Sequence, residues 1–145
     1  ASAVVVVTNA GDVRSLAARD LSPIGAWTLA APLLDVPRAV DGRVAVFDAS
    51  GGVSLIDRDG RRAWSVSIGT PVVGTPLVRG EILWLLDRSG RARGLALADG
   101  REVASIDLGS QPVGGLIALG ADVLAPSGRG TVQPLNLDQS GEAKP

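Results

Sequence analysis

Residues 57–100 read DRDGRRAWSVSIGTPVVGTPLVRGEILWLLDRSGRARGLALADG, and the two ends of this stretch repeat each other. The sequence Asp-Gly-Arg at residues 59–61 returns at residues 99–101, which is 40 residues later. Between the two copies lie an apolar run over residues 82–86, a glycine turn at residues 89–90 and a second apolar strand. One such unit cannot bury both of its faces alone, so we expect it to stack on copies of itself.

The same period runs through the glycines of the whole chain. The glycines of the first turn in each unit are spaced by 40, 39 and 40 residues: Gly11, Gly51, Gly90 and Gly130. Two further series share this period, Gly60, Gly100 and Gly141 in the second turn and Gly42, Gly80 and Gly120 at the end of each unit. A period near 40 with about four short strands per unit is typical of a β-propeller blade.

The strands favour the same architecture. Residues 3–7, 44–47 and 82–86 form short apolar runs, rich in Val, Ile and Leu, that end near Gly or Asp. Such runs predict strands rather than helices. We expect these three to be middle strands of blades, covered by neighbouring blades on both faces. A β-sandwich has strands of similar length but gives no reason for a 40-residue repeat.

The sequence therefore predicts an all-β fold, a β-propeller of four-stranded blades with about 3.5–4 blades present. We expect residues 1–145 to form a single propeller segment. Its blade units are predicted at residues 1–31, 32–69, 70–109 and 110–145, and the first and last units are partial.

Composition excludes several classes of site. The chain has 46% hydrophobic residues, which is ample for a core, but neither His nor Cys. Disulfides, thiolate zinc sites and His-based catalytic triads are therefore excluded within it. The net charge is −1 and no basic stripe is present, so we predict no nucleic-acid partner. The longest uninterrupted apolar runs, residues 3–7 and 82–86, are too short to span a membrane.

Two loop motifs have simpler explanations than a ligand site. Residues 57–60 (DRDG) have some features of a calcium loop, but only two carboxylates are present and no Glu follows at the right distance, so a tight Asp-Gly hairpin is the simple explanation. Residues 69–75 (GTPVVGT) have the glycine spacing of a phosphate loop, but they lack its Lys and fall at a repeat junction, so we reject that reading. Four carboxylates at strand ends are expected to bind turn amides: Asp35, Asp48, Asp87 and Asp107.

Arginines next to two glycine turns are candidate partner contacts. Arg91 and Arg93 follow the turn at Gly90, and Arg129 lies between Gly128 and Gly130. Arginine side chains at such positions can bind carboxylates or phosphates. The alternative is that they are solvated loop tips that keep the protein soluble.

The order of motifs within one unit resembles the pyrroloquinoline-quinone-type (PQQ-type) β-propeller repeat, over nearly the whole chain. The matching segments are residues 76–80 (PLVRG), the apolar strand 82–86, residues 90–95 (GRARGL) and residues 59–64 (DGRRAW). The resemblance implies that Trp27 and Trp64 dock between blades. It also implies a less regular interface in the third unit, which has Ala104 at this position, whereas Trp84 in a middle strand is expected to be core.

Members of this family typically have seven or eight blades, so the resemblance implies that the chain is about half of a propeller. The first blade should lack its innermost strand, and the last should have at most residues 142–144 for its outermost strand. Exposed terminal strands would invite aggregation. We therefore expect a protein partner or a second copy to complete the propeller.

The resemblance implies a non-catalytic scaffold of the bacterial cell envelope, periplasmic or extracellular, without a cofactor. Fold alone does not specify an activity, so two alternatives stay open. One is a fragment of a quinone-dependent dehydrogenase, whose relatives hold the cofactor and calcium at the propeller axis and usually carry a cysteine pair. The other is a ligand-sensing propeller, for which few aromatic side chains are present.

Overall fold

The computed structural model describes residues 2–137 and 143–144 of the 145-residue chain. These residues form four antiparallel sheets, each built from strands that follow one another in sequence. The chain divides into two compact units, Ala1–Pro71 and Val72–Pro145, and each unit contains two of the sheets. Within the described residues, no helix has the length and apolar character needed to cross a membrane.

The first unit contains a three-stranded and a four-stranded sheet. The first sheet has the order β1-β2-β3, with β1 at Ala3–Val7, β2 at Asp12–Ala17 and β3 at Pro23–Thr28. The second sheet has the order β4-β5-β6-β7, with β4 at Arg38–Val40, β5 at Arg43–Phe47, β6 at Gly52–Ile56 and β7 at Arg62–Ser67. Turns rich in Gly, Asp and Ser separate the strands because these residues accept tight-turn geometry.

The second unit contains two sheets whose strand orders run β8 to β11 and β12 to β15. The third sheet has β8 at Val72–Arg79, β9 at Ile82–Asp87, β10 at Arg91–Ala96 and β11 at Glu102–Asp107. The fourth sheet has β12 at Ile117–Leu119, β13 at Asp122–Pro126, β14 at Val132–Leu137 and β15 at Ala143–Lys144. Pro76 is tolerated in β8 because this strand lies at a sheet edge and its pairing is interrupted between Val73 and Leu77.

The strand pairing repeats the sequence period. Val5 pairs with Ser15 in the first sheet, and Ala45 pairs with Leu55, 40 residues later, in the second. A β-bulge interrupts the pairing of the last two strands at the same point in three sheets, between Ser15 and Leu16, between Leu55 and Ile56, and between Gly94 and Leu95. The sheets are thus copies of one unit, and the predicted all-β partial β-propeller is confirmed.

The end sheets agree with the predicted strand order. The first sheet lacks the strand equivalent to β4, because its first strand pairs in the way that β5 does. The outermost strand of the last sheet was predicted within residues 142–144, and residues 143 and 144 form β15. Residue 142 lies outside the described residues, as does Gly141 of the second glycine series.

Burial differs between middle strands. Every residue of β9 is buried, whereas burial alternates along β1. Val4 and Val6 are 42% and 48% exposed. The expectation that residues 3–7 are covered on both faces is therefore wrong. Only Val5 and Val7 of this strand pack against the second sheet, through a cluster that contains Val46.

The glycine of the β9–β10 turn is required by both conformation and space. Gly90 has a φ of 90°, in the left-handed region that side chains disfavour. A Cβ atom at this position would also overlap the carbonyl oxygen of Ser110. Gly11 and Gly51 share both requirements, whereas Gly130 has a φ of 75° but no neighbouring atom within 4 Å of a Cβ position.

Candidate functional site

Buried carboxylates anchor the β5–β6 and β9–β10 hairpins. Oδ1 of Asp48 accepts hydrogen bonds from the N–H and hydroxyl groups of Ser50 and from the N–H of Gly52. Oδ1 of Asp87 accepts the same three kinds of bond from Ser89 and Arg91. Asp48 is 3% exposed and Asp87 is 0% exposed. These carboxylates therefore hold the hairpins in place rather than face a substrate.

The first and fourth sheets use a hydroxyl group at the equivalent position. Oγ1 of Thr8 accepts the N–H of Asp12, and Oγ of Ser127 accepts the N–H of Arg129. A hydroxyl accepts turn amides more weakly than a carboxylate does. The same end of each sheet thus carries one anchored hairpin, with the strongest acceptors in the second and third sheets.

The carboxylates that the sequence assigned to turns do bind turn amides. This prediction is confirmed for Asp35, Asp48, Asp87 and Asp107. Asp57, in the DRDG segment that has some features of a calcium loop, accepts two backbone N–H groups of its own turn, as the hairpin interpretation requires. Among residues 2–137 and 143–144, no three His, Cys, Asp or Glu side chains are grouped in a way that could hold a metal ion.

Arg93 links the anchored hairpin of the third sheet to the outer strand of that sheet. Its Nε donates to Oδ2 of Asp87 at 2.6 Å, and its Nη1 donates to Oε2 of Glu102 at 2.7 Å. The Arg93 side chain is 16% exposed, and that of Asp87 is 0% exposed. This ion pair is short and largely dry, which makes it stronger than a surface pair.

The surroundings shift both pKa values in the direction of the charged forms. Burial by itself would raise the pKa of the Asp87 carboxyl, but the hydrogen bonds from Ser89, Arg93 and the Arg91 N–H outweigh it and lower the pKa. Burial would lower the pKa of Arg93, but its bonds to Asp87 and Glu102 outweigh that effect and raise the pKa.

The three arginines proposed as partner contacts have different environments. Arg93 lies within β10 and is held by carboxylates of its own chain. Arg91 and Arg129 are exposed at equivalent hairpin ends of the third and fourth sheets. Arg88, which no sequence motif marks, is exposed on the same hairpin as Arg91. Partner contact remains a prediction for Arg91, Arg93 and Arg129, to which we add Arg88.

Trp27 packs between the first and second sheets. It contacts a cluster formed by Val13 of the first sheet and by Val46 and Ile56 of the second. The guanidinium carbon of Arg62, on β7, lies 5.6 Å from the centre of the Trp27 ring, at cation–π distance. The ring also lies beside Gly25, where a Cβ atom would be 3.5 Å from it.

The strand register shows that Trp27 and Trp64 are not at the same position. Trp64 pairs with Leu55, whereas the equivalent pairing in the first sheet joins Ser15 to Gly25. Trp27 lies two residues beyond Gly25 and reaches back over it. Trp64 is 8% exposed, and its docking between blades remains a prediction.

Trp84 compensates for the missing tryptophan at position 104. Gly94 pairs with both Trp84 and Ala104, and a Cβ atom at Gly94 would lie 3.2 Å from the Trp84 ring. Trp84 is 0% exposed in a cluster that also includes Ala104 and, from the fourth sheet, Val123. The predicted core role of Trp84 is confirmed. Ala104 implied irregular packing between the third and fourth sheets. The Trp84 ring fills the space between these sheets.

A groove of about 340 Å³ lies between the first and second sheets. Its walls combine the ring of Trp27 and the guanidinium of Arg62 with the hydroxyl groups of Ser54, Ser65 and Ser67. The hydroxyls of Ser54 and Ser65 bond each other at 2.9 Å. Asp48 and Ser50 of the anchored β5–β6 hairpin also line this groove, with the Ser50 hydroxyl bonded to the Asp48 carboxylate.

Comparison with known families identifies the repeat. The sequence model of the family described as outer membrane protein assembly factor BamB matches residues 1–138. A comparison with curated proteins gives no significant match. The family match covers all four sheets except β15.

Solved structures share the fold at low sequence identity. The crystal structure of BamB from Moraxella catarrhalis superposes with a TM-score of 0.73 and 18% identity over 99% of this chain. The computationally designed Ika4 protein gives 0.69 and 14% identity over 92% of this chain and 84% of its own. BBS1N, solved in complex with ARL6DN, gives 0.65 and 15% over 91% of this chain and 42% of its own.

This chain spans only 45% of the Moraxella protein. At such identities the structural matches establish the β-propeller fold, and the family follows from the match over residues 1–138. The chain belongs to the family of the outer membrane protein assembly factor BamB, as the PQQ-type repeat in its sequence indicated.

Proposed function

We propose that the protein is a non-catalytic scaffold that binds other proteins in the bacterial cell envelope, in the periplasm or outside the cell. Membership of a family named for outer-membrane protein assembly supports this function. The observation that carries it is the division of roles at the hairpin ends. Buried Asp87 fixes the backbone of the β9–β10 hairpin, while the side chains of Arg88 and Arg91 on the same hairpin are exposed.

The exposed arginines define the partner-binding surface. Arg88, Arg91 and Arg129 lie at equivalent hairpin ends of the two sheets in the second unit, and no ion pair engages them within the described residues. A guanidinium group binds a carboxylate through two parallel hydrogen bonds, with defined geometry. The surface therefore fits an acidic segment of a partner protein. Arg93 supports it indirectly, because it anchors the hairpin that carries Arg88 and Arg91.

Site-specific photo-crosslinking tests this function. A photoreactive amino acid is placed at position 91, 129 or 101 in protein exported to the bacterial periplasm. Arg101 is the matched control, because it is an exposed arginine at the opposite end of β10 from Arg91. We expect adducts with envelope proteins from positions 91 and 129 but not from position 101. Equal labelling at all three positions would contradict the proposed surface.

The enzymatic alternative has its own assay. Purified protein is supplied with pyrroloquinoline quinone, calcium, a panel of alcohols and sugars, and a redox dye. We expect no dye reduction above that of quinone and calcium alone. Turnover that depends on the protein would replace the scaffold proposal with a dehydrogenase.

A further inference from the structure

The groove between the first and second sheets contains a buried carboxylate with one oxygen left over from the hairpin anchor. Asp48 lines this groove and is 3% exposed. Its Oδ1 accepts the three hydrogen bonds that fix the β5–β6 hairpin. Within the described residues, its Oδ2 takes part in no hydrogen bond or ion pair. A buried acceptor without a partner costs free energy, so this oxygen favours a ligand that brings a donor.

The third sheet fills the equivalent space with a side chain of its own. Asp87 anchors its hairpin as Asp48 does, and Nε of Arg93 donates to Oδ2 of Asp87 at 2.6 Å. Strand pairing makes Ser54 the counterpart of Arg93 in the second sheet. A serine side chain is too short to take the place of an arginine. The second sheet therefore has a groove of about 340 Å³ beside its aspartate, where the third sheet has an ion pair.

Arg62 brings a positive charge to the same groove. It lies at the position of β7 that Glu102 occupies in β11, so the charge at this position is reversed between the two sheets. Its guanidinium carbon lies 5.6 Å from the centre of the Trp27 ring, and within the described residues it joins no ion pair. Asp48 and Arg62 are the charged side chains of the lining, which therefore has no net charge.

Serine hydroxyls add further donors and acceptors to the groove. Ser54 and Ser65 bond each other at 2.9 Å, so one O–H of the pair remains to donate outward. Ser67 is exposed and lines the same groove. Trp27 is half-buried and adds an aromatic surface. The volume lies at the lower end of the range found for small-molecule sites.

We propose that this groove binds a small neutral ligand rich in hydroxyl groups, of which a sugar ring is the chemical class that fits. A cation would be repelled by Arg62 and an anion by Asp48. A hydroxyl group carries no charge and both donates and accepts. One ligand hydroxyl donates to Oδ2 of Asp48, a second accepts from Arg62, and the apolar face of the ring packs against Trp27. All of these side chains belong to the first compact unit, whereas the proposed partner-binding arginines belong to the second, so this site is independent of the scaffold function.

Acrylamide quenching of tryptophan fluorescence can follow binding, because the three tryptophans differ in exposure. Trp27 is half-buried, whereas Trp64 is 8% exposed and Trp84 is 0% exposed. The probes are glucose, galactose and N-acetylglucosamine, together with maltotriose and chitotriose as chains of two of these rings. We expect at least one sugar to protect Trp27 from acrylamide with a Kd of about 1–10 mM, because so small a ligand makes few contacts. Tighter binding of a trisaccharide would identify the ligand as a unit of a sugar polymer, and equal binding would identify it as the free sugar.

Arg62→Ala and Arg61→Ala form a matched pair of variants. Both arginines are exposed and adjacent in sequence, but Arg62 lines the groove and Arg61 does not. Arg62→Ala should weaken sugar binding about tenfold or more, because it removes a charged donor. Arg61→Ala should bind as the unmodified protein does. Each variant is compared with itself in the absence of sugar, since the loss of Arg62 also changes the exposure of Trp27.

The double variant S54R/R62E separates loss of the site from loss of the fold. It rebuilds the arrangement of the third sheet, in which an arginine lies between an aspartate and a glutamate. The new arginine should pair with Asp48 and occupy the groove. We expect sugar binding to be lost while the thermal unfolding midpoint stays the same or rises.

Three results would overturn the proposal. The first is quenching that no sugar changes at concentrations well above the expected Kd. The second is equal weakening by R61A and R62A, or sugar binding by S54R/R62E that matches that of the unmodified protein. The third is protection of Trp27 by methylguanidinium or acetate but by none of the sugars, which would make the groove a site for a charged ligand.

Discussion

Equivalent positions of the repeat carry different chemistry, and Arg93 illustrates this most clearly. Its counterpart in the second sheet is Ser54, which bonds the hydroxyl of Ser65. Its counterpart in the first sheet is Arg14, where Thr8 replaces the carboxylate that Asp87 supplies in the third. Among the four hairpins of this kind in the described residues, the one in the third sheet combines Asp, Arg and Glu, and there an ion pair reinforces the turn.

The comparison of Asp87 with Asp48 gives the first prediction. Asp87→Ala removes the turn bonds and leaves Arg93 partly buried without its inner partner, which should cost about 3 kcal/mol of unfolding free energy. Asp48→Ala is the matched control, since Asp48 makes the same turn bonds without an arginine, and it should cost about 1–2 kcal/mol. Denaturant unfolding of both variants measures the difference. Equal losses would show that the ion pair adds nothing.

The lowered pKa of Asp87 gives a prediction about pH. Because its pKa is lower in the folded chain than the ordinary value of 3.8, protonation favours the unfolded chain. The stability that Asp87 contributes should be complete above about pH 5 and should be lost as the pH falls through 3.8 toward the folded pKa. The readout is the difference in unfolding free energy between the unmodified protein and Asp87→Ala, measured from neutral to acidic pH. A difference that stays constant down to about pH 2 would contradict the assigned pKa shift.

At the scale of elements, each of the first three sheets has one tryptophan on the equivalent face. The tryptophan occupies a different position of the repeat in each sheet. The row across β5, β6 and β7 is Ala45, Leu55 and Trp64. The equivalent row across β9, β10 and β11 is Trp84, Gly94 and Ala104. The large and small residues have exchanged strands while the face stays filled, as close packing requires.

This exchange can be tested by reversing it. Trp84→Ala should cost about 3–5 kcal/mol, because it leaves a cavity beside Gly94. The triple variant W84A/G94L/A104W rebuilds the row of the second sheet and should recover more than half of that loss. Thermal or denaturant unfolding provides the measurement, with G94L alone as the control that should destabilise by overpacking. A triple variant no more stable than W84A would show that the two rows are not interchangeable.

Sequence reasoning identified the elements better than the contacts between them. The period of the glycines located the turns. A turn position with a left-handed backbone, such as that of Gly90, strongly favours glycine, so the glycines of a single sequence mark such positions. The exchange between Trp84 and Ala104 depends on which residues pair across strands. The 40-residue spacing of the repeat does not show this pairing. The same limit explains why Trp27 and Trp64 were assigned one position although they differ by two residues in register.

The candidate site was predictable to a similar degree. The turn carboxylates followed from their place at strand ends, since a side chain there lies within reach of free turn amides. Arg93 could not be separated from Arg91 by sequence, because its partner Glu102 is distant along the chain and adjacent only through the β10–β11 pairing. Arg88 was overlooked because nothing in its neighbours distinguishes an exposed hairpin arginine.

At the scale of the whole molecule, burial separates the strands that hold the fold from the hairpin ends that carry the proposed contacts. Every residue of β9 is buried, whereas Arg88 and Arg91 on the adjoining hairpin are exposed. Burial of apolar surface contributes roughly 25 cal/mol per Å², so β9 should be the last strand of the third sheet to open. A scaffold of this kind would use its buried strands for rigidity and its hairpin ends to bind partners.

Hydrogen exchange measured by mass spectrometry tests the rigidity of this scaffold most directly. We expect amides of β9 and β10 to exchange slowly, since both strands lie inside a four-stranded sheet with few exposed side chains. Amides of β1, an edge strand in which Val4 and Val6 are exposed, should exchange faster. Amides of β9 that exchange as fast as those of β1 would contradict this prediction.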